Sequence, residues 1–219
     1  LNFDEGIVFP VDVEFEAGDG SDTLQVSGAL DAVNLNSNGA GTGTLTAGAS
    51  GATGAIDLTG VEAVEDSSTA ADRVFKDTSG QGNVLRLSDR DAADNGAARV
   101  SSAGALIDYS FEAPGVSLKV LGGAGDDVLE YEGVDQVLVS RVLLDGGSGS
   151  DAVTGPPVDA VWNVTGHNEG DVAGVAFVRV ETLTGAADTE DTFVIGADGA
   201  LDGGVDGGDA GFDSMVFDG

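Results

Sequence analysis

Two stretches of this chain are near copies of one another. "GGAGDDVL", starting at Gly122, returns 24 residues later as "GGSGSDAV", starting at Gly146, and a looser copy, "AGDGSDTL", begins at Ala17. A longer repeat lies beneath these. "IDLTGVEAVEDSSTAADRVF" from Ile56 aligns without gaps with "VAFVRVETLTGAADTEDTFV" from Val175, at a constant offset of 119. The match pairs Leu58 with Phe177, Val61 with Val180, Glu62 with Glu181, Val64 with Leu183 and Asp72 with Asp191. Upstream, "DAV" at Asp31 matches "DAV" at Asp159, so the first copy carries about nine extra residues, which we place in the Gly- and Ser-rich loop of residues 36–54. The long repeat covers about residues 17–77 and 144–196. The last residues, "DSMVFDG" from Asp213, have the pattern of "DTLQVSG" from Asp22, as if the chain were cut from a longer array or stacked end to end.

The apolar runs between the repeats are short, rich in Val, Leu and Thr, and punctuated by Gly, Asp, Asn and Ser, which predicts strands such as "VDVEF", "AVNL", "QVLVSRVLL" and "VAFVRVETL". Only "RDAADNGAARV" has the Ala content of a helix, and Asn95-Gly96 interrupts it. A sandwich gives no reason for repeats. A parallel solenoid needs them, because each coil buries its inward face only against its neighbours. The expectation is therefore an all-β chain, one right-handed parallel β-solenoid segment over residues 1–219. At roughly 20 to 25 residues a coil and about 4.8 Å between coils, it would make a rod about 50 Å long.

The spacing G-G-x-G-x-D-x-U-x, with U a large apolar residue, is met at Gly122, Gly123, Gly125, Asp127 and Leu129, and again at Gly146, Gly147, Gly149, Asp151 and Val153. Glycines allow positive φ and let carbonyls turn inward. The aspartate adds a hard anionic oxygen, and the loop becomes oxygen-lined, as Ca²⁺ requires. Stacked on successive coils, Asp127 and Asp151 would approach to about 5 Å. Two unit charges at that distance repel by roughly 3 kcal/mol at an effective dielectric near 20. A divalent cation between coils turns the repulsion into attraction and makes Asp126, beside Asp127, tolerable. The alternative is that these are Gly-rich turns whose aspartates cap their own backbone, with no metal.

Three degenerate loops extend the pattern. Asp19 and Asp22 lie in "AGDGSD", Asp191 follows "GAADTE", and Asp213 follows "GGDAGF" with Asp206 and Asp209 nearby as extra ligands. "SDRDAADNG" is similar to an EF-hand loop only superficially, since Ala93 and Asp94 stand where a ligand and the glycine belong.

Charge decides which partners are open. With 39 acidic against 8 basic residues and a formal net charge of -31, the chain lacks the clustered Lys and Arg that nucleic acid or an anionic membrane needs. High charge with few aromatics also marks disorder, but 41% apolar residues in alternating runs favour a folded domain. No stretch is long and apolar enough to span a membrane, and "LNFDEGIVFP" lacks the basic and long apolar regions of a signal peptide. The absence of cysteine excludes disulfides.

"GGAGDDVLE" and "GGSGSDAVT" resemble the nonapeptides of RTX, or haemolysin-type calcium-binding, repeats, and the longer units resemble modules of giant repetitive surface and adhesin-like proteins of Gram-negative bacteria. The resemblance implies export of an unfolded chain, usually by a type I apparatus, and folding outside the cell as calcium binds. It also implies a ligand set: the carboxylates of Asp127 and Asp151, with backbone oxygens of Gly123, Gly125, Gly147 and Gly149. The nonapeptides here are not in tandem, which departs from that family's pattern.

Catalysis finds little support. His167 is the sole histidine, on a Gly-rich loop, and the eight basic residues, Arg73, Lys76, Arg86, Arg90, Arg99, Lys119, Arg141 and Arg179, are scattered in sequence. Trp162 falls at a repeated strand position and reads as packing. The expected function is a calcium-binding structural module of an extracellular bacterial fibre, surface layer or adhesin stalk, associating with copies of itself by repeat stacking. The alternatives are a glycan- or partner-binding module using residues 36–54, and, behind it, a carbohydrate-active β-helix enzyme.

Overall fold

A computed structural model describes residues 13–91 and 94–219; the opening decapeptide and Ala93, which carried two of the sequence readings, lie outside them. The chain is all-β, and it alternates between two mostly parallel sheets. β1 (Val13–Glu16) is in the first sheet and β2 (Thr23–Val26) in the second. β3 (Ala32–Gly39), β4 (Thr42–Ala49) and β5 (Ala52–Thr59) form an antiparallel meander in the first, followed by β6 (Ala63–Asp66) in the second and β7 (Asp72–Asp77) in the first. β8 (Val84–Asp89), β9 (Ala98–Ser101) and β10 (Asp108–Phe111) make a second meander, in the second sheet, before β11 (Ser117–Leu121) in the first and β12 (Val128–Gly133) in the second. A helical turn, α1 (Gln136–Val139), leads into β13 (Val142–Asp145) of the first sheet and β14 (Ala152–Thr154) of the second. β15 (Val161–Gly166), β16 (Glu169–Val172) and β17 (Val175–Val178) form a third meander in the first sheet, and β18 (Thr182–Thr184), β19 (Thr192–Gly196), β20 (Val205–Asp206) and β21 (Ser214–Asp218) then alternate between second and first.

Among the described residues, strands from different crossings pair parallel and antiparallel pairing occurs only inside the three meanders. Alternating side chains point between the sheets. Register stacks like on like through parallel and antiparallel pairs alike: Ile56, Leu45, Leu35, Phe75, Val120, Leu144 and Phe177 are successive Cα partners across seven strands of the first sheet. In the second sheet Leu85, Leu129, Val153 and Leu183 do the same. All of these belong to one buried cluster, each contributing about 1.5–3 kcal/mol on burial.

The segments matched by the long repeat occupy corresponding places, Ile56–Thr59 in β5 against Val175–Val178 in β17, and β6 against β18. Residues 36–54 are not a loop. They are most of the first meander, whose eight-residue strands are longer than those of the third, and the extra residues of the first copy lengthen those strands. Inward positions there are Leu45 and Ala47, flanked by Thr and Gly, so the segment looks polar while supplying core. Two further expectations change. "QVLVSRVLL" is not one strand, because residues 136–139 turn helically, Leu138 and Arg141 donating to the carbonyls of Asp135 and Leu138. The Ala-rich stretch yields β9, whose Ala98 and Val100 are fully buried.

One polar group sits in the core between β6, β7 and β10. Arg73 is fully buried and ion-paired with Asp66; its Nε donates to the Glu112 carbonyl at 2.9 Å and its Nη2 to the Ser68 carbonyl at 2.6 Å. Tyr109 Oη donates to Asp66 Oδ2 at 2.8 Å, the Ser68 amide donates to Asp66 Oδ1 at 2.9 Å, and Arg73 lies 5.8 Å from the centre of the Phe111 ring. Among the scattered basic residues, this one is internal.

Candidate functional site

The two strict glycine turns lie side by side. Residues 122–127 join β11 to β12 and residues 146–151 join β13 to β14, and both flanking pairs are parallel neighbours, Leu121 opposite Asp145 and Val128 opposite Ala152. The turns themselves are bonded: Gly122 donates to the Asp145 carbonyl at 2.8 Å, Ser148 to Gly123 at 2.9 Å, Gly125 to Ser148 at 3.0 Å, and Ala152 to Asp127 at 2.8 Å. Glycine is required by this contact as much as by φ. Gly149 has φ +145°, and a Cβ there would lie 1.9 Å from the Gly125 oxygen; one on Gly147 would lie 2.2 Å from the Gly123 oxygen.

The aspartates form a directional ladder. Asp127 Oδ1 accepts the Asn83 amide at 2.8 Å, Asp151 Oδ1 accepts the Asp127 amide at 2.7 Å, and Glu181 Oε2 accepts the Asp151 amide at 2.7 Å. Each acid thus caps the turn before it. Nearer the start, Glu62 Oε2 accepts the Asp22 amide at 2.7 Å. Asp126 is exposed and works in the reverse sense, accepting the Ser150 amide at 2.8 Å. The amide bonds are what let like charges stack, a compensation that reading the loops singly does not expose.

The degenerate loops do not join this row. Asp22 belongs to a first-to-second turn, like Asp127 and Asp151, but three strands of the second meander and β6 separate β2 from β12. Asp19 is exposed in the same turn. Asp191 and Asp213 stand at the opposite edge, where the chain returns from the second sheet to the first: Asp191 Oδ1 accepts the Ala160 amide at 2.8 Å, and Asp213 Oδ1 accepts the Asp191 amide at 2.9 Å. Asp206 Oδ1 accepts the Gly208 amide, an Asx turn, and the carbonyl of Asp209 accepts the Asp188 amide. The likeness of "DSMVFDG" to "DTLQVSG" is therefore local, since β21 and β2 lie in different sheets.

Spare acceptor capacity separates the candidates. Asp127 Oδ2, Asp151 Oδ2 and Asp22 Oδ2 are buried without a hydrogen-bond partner, whereas Asp191 Oδ2 accepts the Thr189 hydroxyl at 2.9 Å. Asp145, unremarked in the sequence, also has a buried oxygen without a partner, Oδ1. Burial pushes the Asp127 carboxyl up to about 6, helped by Asp151, Asp77 and Asp126 and opposed by the Asn83 amide; burial also raises Asp151. Unpartnered, desolvated anionic oxygens on adjacent turns suit a hard cation. Among the described residues, however, no three His, Asp or Glu side chains gather into a metal-binding group, so further ligands must be carbonyls or water, and the Gly123 carbonyl is already engaged by Ser148.

A pH dependence follows with definite sign. Between the unfolded carboxyl value near 3.9 and the folded value of about 6, native Asp127 holds a proton that the unfolded chain has released. The stability of metal-free protein should therefore fall as pH rises through about 4 to 6, and urea titrations of Asp127→Asn should show a shallower fall. A wild-type stability that rises across that window would contradict the assignment.

Sequence reasoning passed over Asn83, Glu62 and Glu181 in the ladder; the constant-offset match of Glu62 with Glu181 was the available signal. His167 is exposed on the turn between β15 and β16, its Nε2 3.1 Å from Asp202 Oδ1. Trp162 is fully buried, stacked on Phe193 with ring centres 5.3 Å apart. Among the described residues no helix is long and apolar enough to cross a membrane. No family model matches the chain, and no curated protein or solved structure matches it significantly.

Proposed function

We propose that this chain is a calcium-binding segment of a right-handed parallel β-solenoid, a structural repeat of an extracellular bacterial fibre, surface layer or adhesin stalk. The observation that carries the reading is the stacking of two glycine turns whose Asp127 and Asp151 each keep a buried oxygen without a partner. The alternation of the chain between two sheets, the net charge of -31 and the resemblance of both turns to RTX nonapeptides support it. Asp127 and Asp151 would hold the ion, with Asp126 beside them and carbonyls of the turns completing the shell. Bound calcium would supply the positive charge that stacked carboxylates lack. Repeat stacking is the association this reading assigns, because each coil buries its inward face only against its neighbours. No residue is given a catalytic role.

Equilibrium dialysis tests the site. Wild-type protein should retain calcium against a chelator-treated buffer at a defined stoichiometry, and the Asp127→Asn, Asp151→Asn double variant should retain at least one ion fewer. Equal retention by both would place the ions elsewhere.

A further inference from the structure

Two of the chain's eight basic residues, Arg179 and Lys119, act on the Asp145 carboxylate, and a third, Lys76, lines the groove beside it. Lys76, Leu121, Asp145 and Val178 are successive Cα partners across β7, β11, β13 and β17, and Arg179, the next residue, is ion-paired with Asp145 Oδ2. Lys119 is close enough to act on Asp145 as well. Beside them opens a groove of about 390 Å³, within the size range of ligand clefts, whose charged lining is Lys76 and Arg179 with the acids Asp77 and Asp145. Asp145 is only 7% exposed: its Oδ1 is buried away from the groove, the Gly147 amide also acts on the carboxylate, and Oδ2 is the oxygen that faces Arg179.

Arg179 carries the second observation. It is left-handed, with φ +53°, whereas its counterpart in the long repeat is Gly60, with φ +71°. The turn needs no side chain there, and a non-glycine residue in that conformation costs about 1–2 kcal/mol. Its ion pair, 61% exposed on the arginine side, contributes about 1 kcal/mol or less. Folding alone gives no reason to prefer arginine.

We propose that this groove binds a carboxylated sugar, a hexuronate unit of an acidic polysaccharide, independently of the calcium reading. The sugar carboxylate meets Lys76 and the Arg179 N–H groups not used by Asp145. A ring hydroxyl donates to Asp145 Oδ2, which can accept a second hydrogen bond beside the one from Arg179. The net charge of -31 does not forbid this, because remote charges are screened beyond about 8 Å at physiological salt.

Titration calorimetry of the whole chain with oligogalacturonate, and with a neutral galactose oligomer of equal length, tests the proposal at fixed calcium. Saturable binding of the uronate alone is expected, weakened about tenfold or more in Lys76→Ala, which should melt as the wild type does, and likewise in Arg179→Gly. Absence of saturable binding, equal affinity for the neutral oligomer, or undiminished binding by both variants would overturn it; the last would place the uronate on a calcium ion elsewhere.

Discussion

Arg73→Ala should strip away a large fraction of the chain's stability. The substitution strands the Asp66 carboxylate in the core, where Asp66 is 1% exposed, and removes the donors that satisfy the carbonyls of Ser68 and Glu112. Breaking a buried pair from one side costs about 3–5 kcal/mol. Total stabilities run about 5–15 kcal/mol, so this one change removes a large fraction. Urea denaturation followed by Trp162 fluorescence measures it, since that ring is fully buried. The companion experiment separates charge from packing: Arg73→Met with Asp66→Leu and Tyr109→Phe replaces the group by apolar side chains and should recover most of the loss. A single Arg73→Ala variant with the wild-type midpoint would mean that the interior network contributes nothing.

Gly149→Ala should cost about 3 kcal/mol or more and pull the two glycine turns apart. Two penalties combine there. The backbone has φ +145°, which L residues rarely adopt, and the new Cβ would meet the Gly125 carbonyl oxygen at 1.9 Å, backbone against backbone with no flexible end to yield. Gly80→Ala is the matched control. It has φ +70° but nothing within 4 Å of a Cβ, so only the conformational cost of about 1–2 kcal/mol applies. The difference between the two midpoints measures the turn-on-turn contact itself. Equal effects would mean that the turns are not packed together in solution.

Much of this architecture could be read from residue order alone. Alternation of Val, Leu and Phe marks the strands, and the 24-residue spacing of Asp127 and Asp151 marks turns on neighbouring crossings. What failed were the places where tertiary contacts override local composition. In the first meander, small inward residues such as Ala47 and the threonines around Leu45 disguise eight-residue strands as a loop. The core position of Arg73 is invisible locally, because its compensating partners lie in two separate segments, Asp66 and Ser68 in one and Tyr109 and Glu112 in the other. The opposite placement of Asp191 and Asp127 was equally hidden, since both simply precede a strand, and only sheet membership tells which edge a turn occupies.

The ladder explains why stacked acids do not force the turns apart, yet it leaves one oxygen of Asp127 and one of Asp151 with nothing to accept. The most direct measurement is thermal melting with and without calcium. A ligand at a hundredfold excess over its Kd stabilises by about 2.7 kcal/mol per site. For a chain of this size each kcal/mol moves Tm by about 2–4 °C, so one site between the turns should raise Tm by roughly 5–10 °C. That rise should disappear in the Asp127→Asn, Asp151→Asn variant. A wild-type Tm indifferent to millimolar calcium, or a rise that survives in the variant, would contradict calcium binding at these turns.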